Sequence, residues 1–388
     1  MTDRTYDVVL LGATGFTGSL VAAHLTRRLA GTTTRWAIAG RSREKLERIV
    51  DGLPLADASD APAIEVVDVT DADGLQALAA RTTALATTVG PYAAHGEPVV
   101  AACVAAGTEY ADITGEPAFV DRIVERYDAP AREAGVRLVS CCGFDSVPHD
   151  LGVALTVSQL PDDVPITVRG YVEADARFSG GTAHSALQAI ASRHLPSSRV
   201  RGERARDVRS YPVKLHRIPE AAGIDGYGVP LPTIDPAIVL RSAASCEGYG
   251  ERFRYGHFAR VRSLPAVAGG VVGIGAFAAL ASLPPTRKLL ERAIPAQGEG
   301  PSAERRARSR FAVTFLGTGG GREVVVRVSG GDPGYDETAK MLGEAVLALA
   351  QDGSTGASGA VTPVQGLGEG YRRRLEDQGL TFEVLRTS

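Results

Sequence analysis

Apolar runs of four to six residues alternate with amphipathic stretches over the first 140 residues or so of the chain. Tyr6-Asp7-Val8-Val9-Leu10-Leu11 predicts a buried strand, after which Val21, Leu25 and Leu29 recur at helical spacing. Further buried strands are predicted over 35–39, 64–69, 83–89 and 136–140, with a short one from Glu109 that ends in polar groups near Glu116. Between them lie helical patterns: one opened by Asp71 and carrying Leu75 and Leu78, one over 97–106, and one marked by Val120, Ile123, Val124 and Tyr127. Six such units predict an α/β fold, a doubly wound parallel sheet of Rossmann type.

The period changes beyond Leu160. Ile166, Val168, Gly170 and Val172 alternate with polar residues, as in an antiparallel strand with one wet face. Pro230 to Pro236 reads as a rigid turn, and Tyr249, Phe253, Tyr255 and Phe258 mark strands. Residues 311–316 and 323–328 read as paired strands, followed by a helix over 337–350, a flexible interval over 352–359, a helix over 367–378 and a strand over 380–385. The expected division is a nucleotide-binding Rossmann domain over 1–146 and a second α+β domain over 147–388, with a mixed or antiparallel sheet that holds the substrate.

A chain of 388 residues accommodates two such domains, and its net charge of −3 offers nucleic acid no general attraction. Cys103, Cys141, Cys142 and Cys246 lack C-x-x-C spacing and predict reduced thiols in the cytosol and no metal site. The start Met1-Thr2-Asp3-Arg4 leaves no room for a signal peptide before the first strand, so a cytoplasmic location is expected. Residues 264–283 carry no charge and reach membrane-spanning length, but four glycines and Pro265 make insertion marginal. A buried helix is expected there; the alternatives are a surface-lying helix, which would bring peripheral membrane contact, and an acyl tunnel.

Gly12-Ala13-Thr14-Gly15-Phe16-Thr17-Gly18 lies directly behind the first strand and predicts a dinucleotide-binding turn. The first glycine turns the strand, the second lets a diphosphate approach, and the third lets the helix pack, while the helix start presents its amides to the anion. An NAD site would place a carboxylate at the end of the second strand; Arg41, Ser42, Arg43 and Lys45 stand there instead and predict NADP(H). Ser42 also suits the N-cap of the following helix. Asp68 either reaches the adenine or caps the chain locally. Gly90-Pro91-Tyr92 follows the fourth strand and is expected in a loop beside the nicotinamide ribose, with Tyr92 the first candidate to touch substrate.

Asp145 and His149 sit at the end of the sixth strand, where a histidine could exchange a proton, and Pro148 and Ser146 suit a helix start and its cap. The amides of Ser179-Gly180-Gly181-Thr182 could hold an anion or an incipient oxyanion, or simply start a helix. The arginine-rich stretch 193–217 is either solvated surface or a docking face for an acidic carrier protein.

Taken together, six motifs resemble the saccharopine dehydrogenase-like oxidoreductases, and among them the actinobacterial trans-acting enoyl reductases. They are Gly-Ala-Thr-Gly-Phe-Thr-Gly at 12–18, Ala-Gly-Arg-Ser at 39–42, Val-Gly-Pro-Tyr at 89–92, Gly-Phe-Asp-Ser-Val-Pro at 143–148, Ser-Gly-Gly-Thr at 179–182 and Gly-Asp-Pro-Gly-Tyr at 331–335. The resemblance implies NADPH-dependent reduction of the double bond of an acyl thioester held by a polyketide synthase or acyl carrier. It implies cofactor contacts from Gly12, Thr14, Gly15, Phe16, Thr17, Gly18, Arg41, Ser42, Arg43, Lys45, Asp68, Gly90, Pro91, Tyr92 and Asp145. Substrate contacts are expected from Ser179, Gly180, Gly181, Thr182 and Tyr335, and the proton from Tyr92, Tyr110 or His149. Two other readings are a saccharopine-type reductase of an imine or carbonyl, and a non-catalytic NADP-bound protein at a lipid surface.

Overall fold

The computed structural model describes residues 4–175, 207–212, 214–266, 300–353 and 355–388. Strand and helix alternate from the start: β1 (Tyr6–Leu11), α1 (Phe16–Leu29), β2 (Trp36–Gly40), α2 (Arg43–Asp51), β3 (Ala63–Val66), α3 (Ala72–Ala80), β4 (Thr82–Thr87), α4 (Tyr92–Ala106), β5 (Glu109–Asp112), α5 (Pro117–Ala134), β6 (Arg137–Val139) and α6 (Val147–Val157). Every pair in this sheet is parallel. Val8 and Leu10 enter one apolar cluster and Val9 and Leu11 another, so helices cover both faces and the run needs no polar alternation. Each such side chain removed from water contributes roughly 1.5–3 kcal/mol.

The second layer contains β7 (Pro165–Ala174), β8 (Asp207–Ser210), β9 (His216–Arg217), β10 (Tyr227–Pro230), α7 (Asp235–Ser245), β11 (Arg252–Val261), α8 (Ala303–Arg308), β12 (Phe311–Gly319) and β13 (Arg322–Gly330). After it come α9 (Asp336–Gln351), β14 (Gly359–Val361), α10 (Pro363–Asp377) and β15 (Thr381–Thr387). The second sheet runs β15-β13-β12-β7-β11-β10-β9, with β8 also paired to β11. It is mixed: β7 and β8 lie parallel to β11, whereas β12 is antiparallel to both β7 and β13.

Three elements differ from expectation. The loop expected from Gly90 to Gly96 is already helix, because α4 starts at Tyr92 directly after Pro91. Residues 235–245 form α7 where only a turn was expected; Pro236 occupies the first turn, where its missing N–H costs nothing. The interval ending at Gly359 leads into β14, which pairs with β6 and completes a seven-stranded sheet in the order β14-β6-β5-β4-β1-β2-β3. The amino-terminal sheet thus takes its outer strand from beyond residue 147, and the sheets do not divide at 146/147. Arg137 fixes this junction, donating to Glu109, to the Gly366 carbonyl and to the Leu349 carbonyl.

Candidate active site

Gly12 has φ +94°, and a Cβ there would lie 2.7 Å from Thr88 Oγ1; one at Gly18 would collide with the Gly12 carbonyl. A Cβ at Gly15 meets only the Gly12 carbonyl oxygen, at 3.4 Å, so the chain itself makes no demand for glycine there. No side chain caps the α1 N-terminus, and Thr14 is exposed beside it. These amides are therefore placed to receive an anion. At α4 the opposite holds: Glu116 accepts from the amides of Tyr92 at 2.9 Å and Ala93 at 2.8 Å, and its carboxylate fills that helix start.

Arg41, Arg43 and Lys45 are exposed at the end of β2 and the start of α2. Ser42 caps that helix, accepting from the Lys45 amide at 3.4 Å. Asp68 lies beside Arg41 and accepts from the Thr70 amide at 2.9 Å and the Thr70 hydroxyl at 2.8 Å, which hold its carboxyl below the ordinary range. Asp68 thus makes a local turn alongside the arginine. Tyr335 packs edge-on against Phe16 with ring centroids 4.9 Å apart, and the Arg306 guanidinium sits 5.3 Å from the same ring. That places Tyr335 on the glycine-rich turn rather than at a distance from it. Ser179, Gly180, Gly181 and Thr182 lie outside the described residues, as do 193–206 of the arginine-rich stretch and 267–283 of the apolar segment.

The tyrosines expected at the strand ends lie inside. The Tyr92 hydroxyl donates to the Thr87 carbonyl at 3.0 Å and accepts from the Ile113 amide at 3.4 Å, which braces β4 against β5. Tyr110 is wholly buried, its hydroxyl near the Asp112 carboxylate but without a hydrogen bond to it. Burial pushes both phenols well above their ordinary range. Asp112 in turn accepts from Ser140, Cys141 and Thr114, yet burial still lifts its carboxyl to about 6. Cys141 follows with φ +64°, a conformation that a non-glycine residue adopts at a cost.

His149 stands in the first turn of α6, with Phe144 edge-on at 5.6 Å. Ser146 holds the N-cap position, but its hydroxyl makes no capping hydrogen bond. Asp145 faces His149; burial and the nearby Asp235 charge raise the Asp145 carboxyl to about 6. Two residues that sequence patterning did not single out complete the group. Asp235 opens α7 and brings Oδ1 to 2.9 Å from His149 Nδ1, and its Oδ2 lies 3.6 Å from His257 Nε2 on β11. The Tyr255 hydroxyl lies 3.0 Å from His257 Nδ1. Burial pushes the His257 imidazole down to about 4, which keeps it neutral. Among the described residues, His149, Asp235 and His257 form a buried group whose donor atoms lie within 4.8 Å of one another, a set that cysteine spacing could not reveal.

A parallel sheet with an uncapped glycine-rich turn at its carboxyl edge, followed by a buried histidine–carboxylate group, is the architecture of a nucleotide-dependent oxidoreductase. The model of the saccharopine dehydrogenase NADP binding domain matches residues 8–139. A Mycobacterium tuberculosis protein described as a trans-acting enoyl reductase is 37% identical over 423 positions, covering 99% of each chain. A trans-acting enoyl reductase of Mycobacterium ulcerans is 34% identical, over 99% of this chain and 98% of its own. The chain belongs to the trans-acting enoyl reductase family of saccharopine dehydrogenase-like, NADP-dependent oxidoreductases. In solved structures the same fold is found in saccharopine dehydrogenase (L-Glu forming) from Saccharomyces cerevisiae, with a TM-score of 0.55 at 13% identity and 98% and 99% of the two chains covered. No helix among the described residues is long and apolar enough to cross a membrane.

Proposed function

We propose that this protein reduces the carbon–carbon double bond of an enoyl thioester carried by a polyketide synthase or its acyl carrier, with NADPH as hydride donor. The amides of 16–18, with Thr14 and Thr17 beside them, would hold the diphosphate, Gly15 giving it room to approach, and Arg41, Ser42, Arg43 and Lys45 would take the ribose phosphate. Asp68 and Asp145 flank the adenine and nicotinamide ends, and Gly90 and Pro91 border the nicotinamide ribose. Phe16 and Tyr335 wall the turn.

Bound NADPH would supply hydride to the β-carbon, the electron pair of the double bond moving to the thioester as an enolate. The α-carbon then takes a proton, and solvent restores the donor. His149 supplies that proton. What supports this choice is protonation chemistry: an imidazole exchanges protons near neutral pH, whereas burial pushes both phenols well above their ordinary range and the Tyr92 hydroxyl is spent on the Thr87 carbonyl. Purified protein given NADPH and a panel of enoyl thioesters should consume NADPH in proportion to saturated product, with little turnover on NADH. NADPH oxidation with imines but not enoyl thioesters would overturn the reading.

A further inference from the structure

The strongest unassigned feature is the group of side chains that meets His149 from the second layer. Asp235 reaches it from α7, and His257 and Tyr255 from β11, so groups on two elements of the second layer converge on a side chain carried by α6. His149, Asp235 and His257 are each about 2% exposed. A carboxylate so deeply buried is costly unless donors surround it. Here each oxygen faces one imidazole.

Assuming that His149 is the proton donor proposed above, we infer that Asp235 is its positioning residue and that His257, backed by Tyr255, fixes Asp235. Assigning the Tyr255 hydroxyl as donor to His257 Nδ1, 3.0 Å away, leaves the His257 proton on Nε2, which lies 3.6 Å from Asp235 Oδ2. His257 then turns an N–H towards the outer oxygen, at 3.6 Å too long for a hydrogen bond in this structure, and Oδ1 is left for His149 Nδ1. A proton held on Nδ1 fixes the tautomer and leaves Nε2, which has no hydrogen-bond partner, as the atom that gives and regains the catalytic proton. Nδ1 and Oδ1 approach to 2.9 Å off the ring N–H axis, so neither has an aligned hydrogen bond in this structure. Loose geometry of this kind tightens when substrate fills a site. The groups facing His149 are Asp145 and Phe144 from its own loop, Asp235 from α7, and His257 from β11.

Histidine nitrogen NMR on the full chain reads this without any assay. The parent should show His149 as the Nδ1–H tautomer with His257 as Nε2–H, and Asp235→Asn should give mixed His149 tautomers in a folded protein. In turnover, Asp235→Asn should lower kcat about 100-fold with KM nearly unchanged and move the alkaline limb of the pH profile, where a proton donor loses its proton. His257→Gln and Tyr255→Phe should give smaller losses of the same kind. An unchanged His149 tautomer in Asp235→Asn overturns the inference even if enoyl reduction holds. An intact tautomer response in a protein with no enoyl reductase activity overturns the function but not the positioning. Zinc retained at one equivalent after dialysis, and lost in His257→Gln, would make the group a metal centre and overturn the positioning role.

Discussion

At the residue scale, the preference for NADPH is proposed to rest on the cations at the end of β2. Arg41, Arg43 and Lys45 are exposed and no acid occupies the position an NAD site would use, so their worth is felt mainly when a phosphate arrives. Replacing Arg41 and Arg43 together by alanine should weaken NADPH binding by roughly 10- to 100-fold, about 1.4–2.8 kcal/mol, and change NADH affinity little. Isothermal titration with both coenzymes checks this. Equal loss for both would place the arginines outside phosphate recognition. This part of the site is legible in sequence because it is local: glycine spacing and charge at a strand end survive without tertiary context. The fate of Tyr92 is not. Whether a tyrosine after Gly-Pro faces a cleft or the Thr87 carbonyl depends on where α4 begins, and Glu116, more than twenty residues away, fixes that start.

At the element scale, the long periodic segments are the legible ones, and the misread ones have identifiable causes. Two prolines in Pro232-Thr233-Ile234-Asp235-Pro236 read as a turn because their punctuation outweighs the apolar spacing of Ile238, Val239 and Ala243 behind them. With α7 unseen, Asp235 is only a turn acid, and the partner of His149 goes unrecognised. β14 is three residues long, too short to show a period. Helices α6 and α10 are joined by Asp150, whose Oδ2 accepts from the Val364 amide at 3.0 Å while burial lifts its carboxyl from 3.8 to about 6. Below about pH 4 this carboxyl is protonated in both folded and unfolded chains and its contribution is fully present. As pH rises to about 6 the unfolded chain ionises first, so that contribution is lost. Asp150→Asn removes the titration, so its stability relative to the parent should rise by on the order of 1–3 kcal/mol between about pH 4 and pH 7. Urea unfolding of both proteins across that range checks it, and a difference that is flat with pH would contradict the raised carboxyl.

At the scale of the whole molecule, the two sheets share their connections. The carboxyl-terminal part returns to cover the amino-terminal sheet with α9 and extend it with β14, and the His149 group draws on both sheets' flanking elements. The glycine-rich turn and the His149 group therefore sit on elements that the chain ties together by long-range contacts. Sequence reading yields the two sheet types, because strand period and alternation are written locally. It does not yield the tie, because which late strand rejoins an early sheet depends on packing between segments more than 200 residues apart. In the proposed reaction NADPH held at Gly12–Gly18 would deliver hydride to the β-carbon of an enoyl thioester while His149 protonates the α-carbon. NADPH deuterated at C4 on each face in turn, with an enoyl group on an acyl carrier and the product read by mass spectrometry, separates the outcomes, one of the two labelled forms being the donor. The account predicts one deuterium at the β-carbon and solvent hydrogen at the α-carbon. Deuterium at neither position, or transfer to an imine or carbonyl carbon instead, would contradict it.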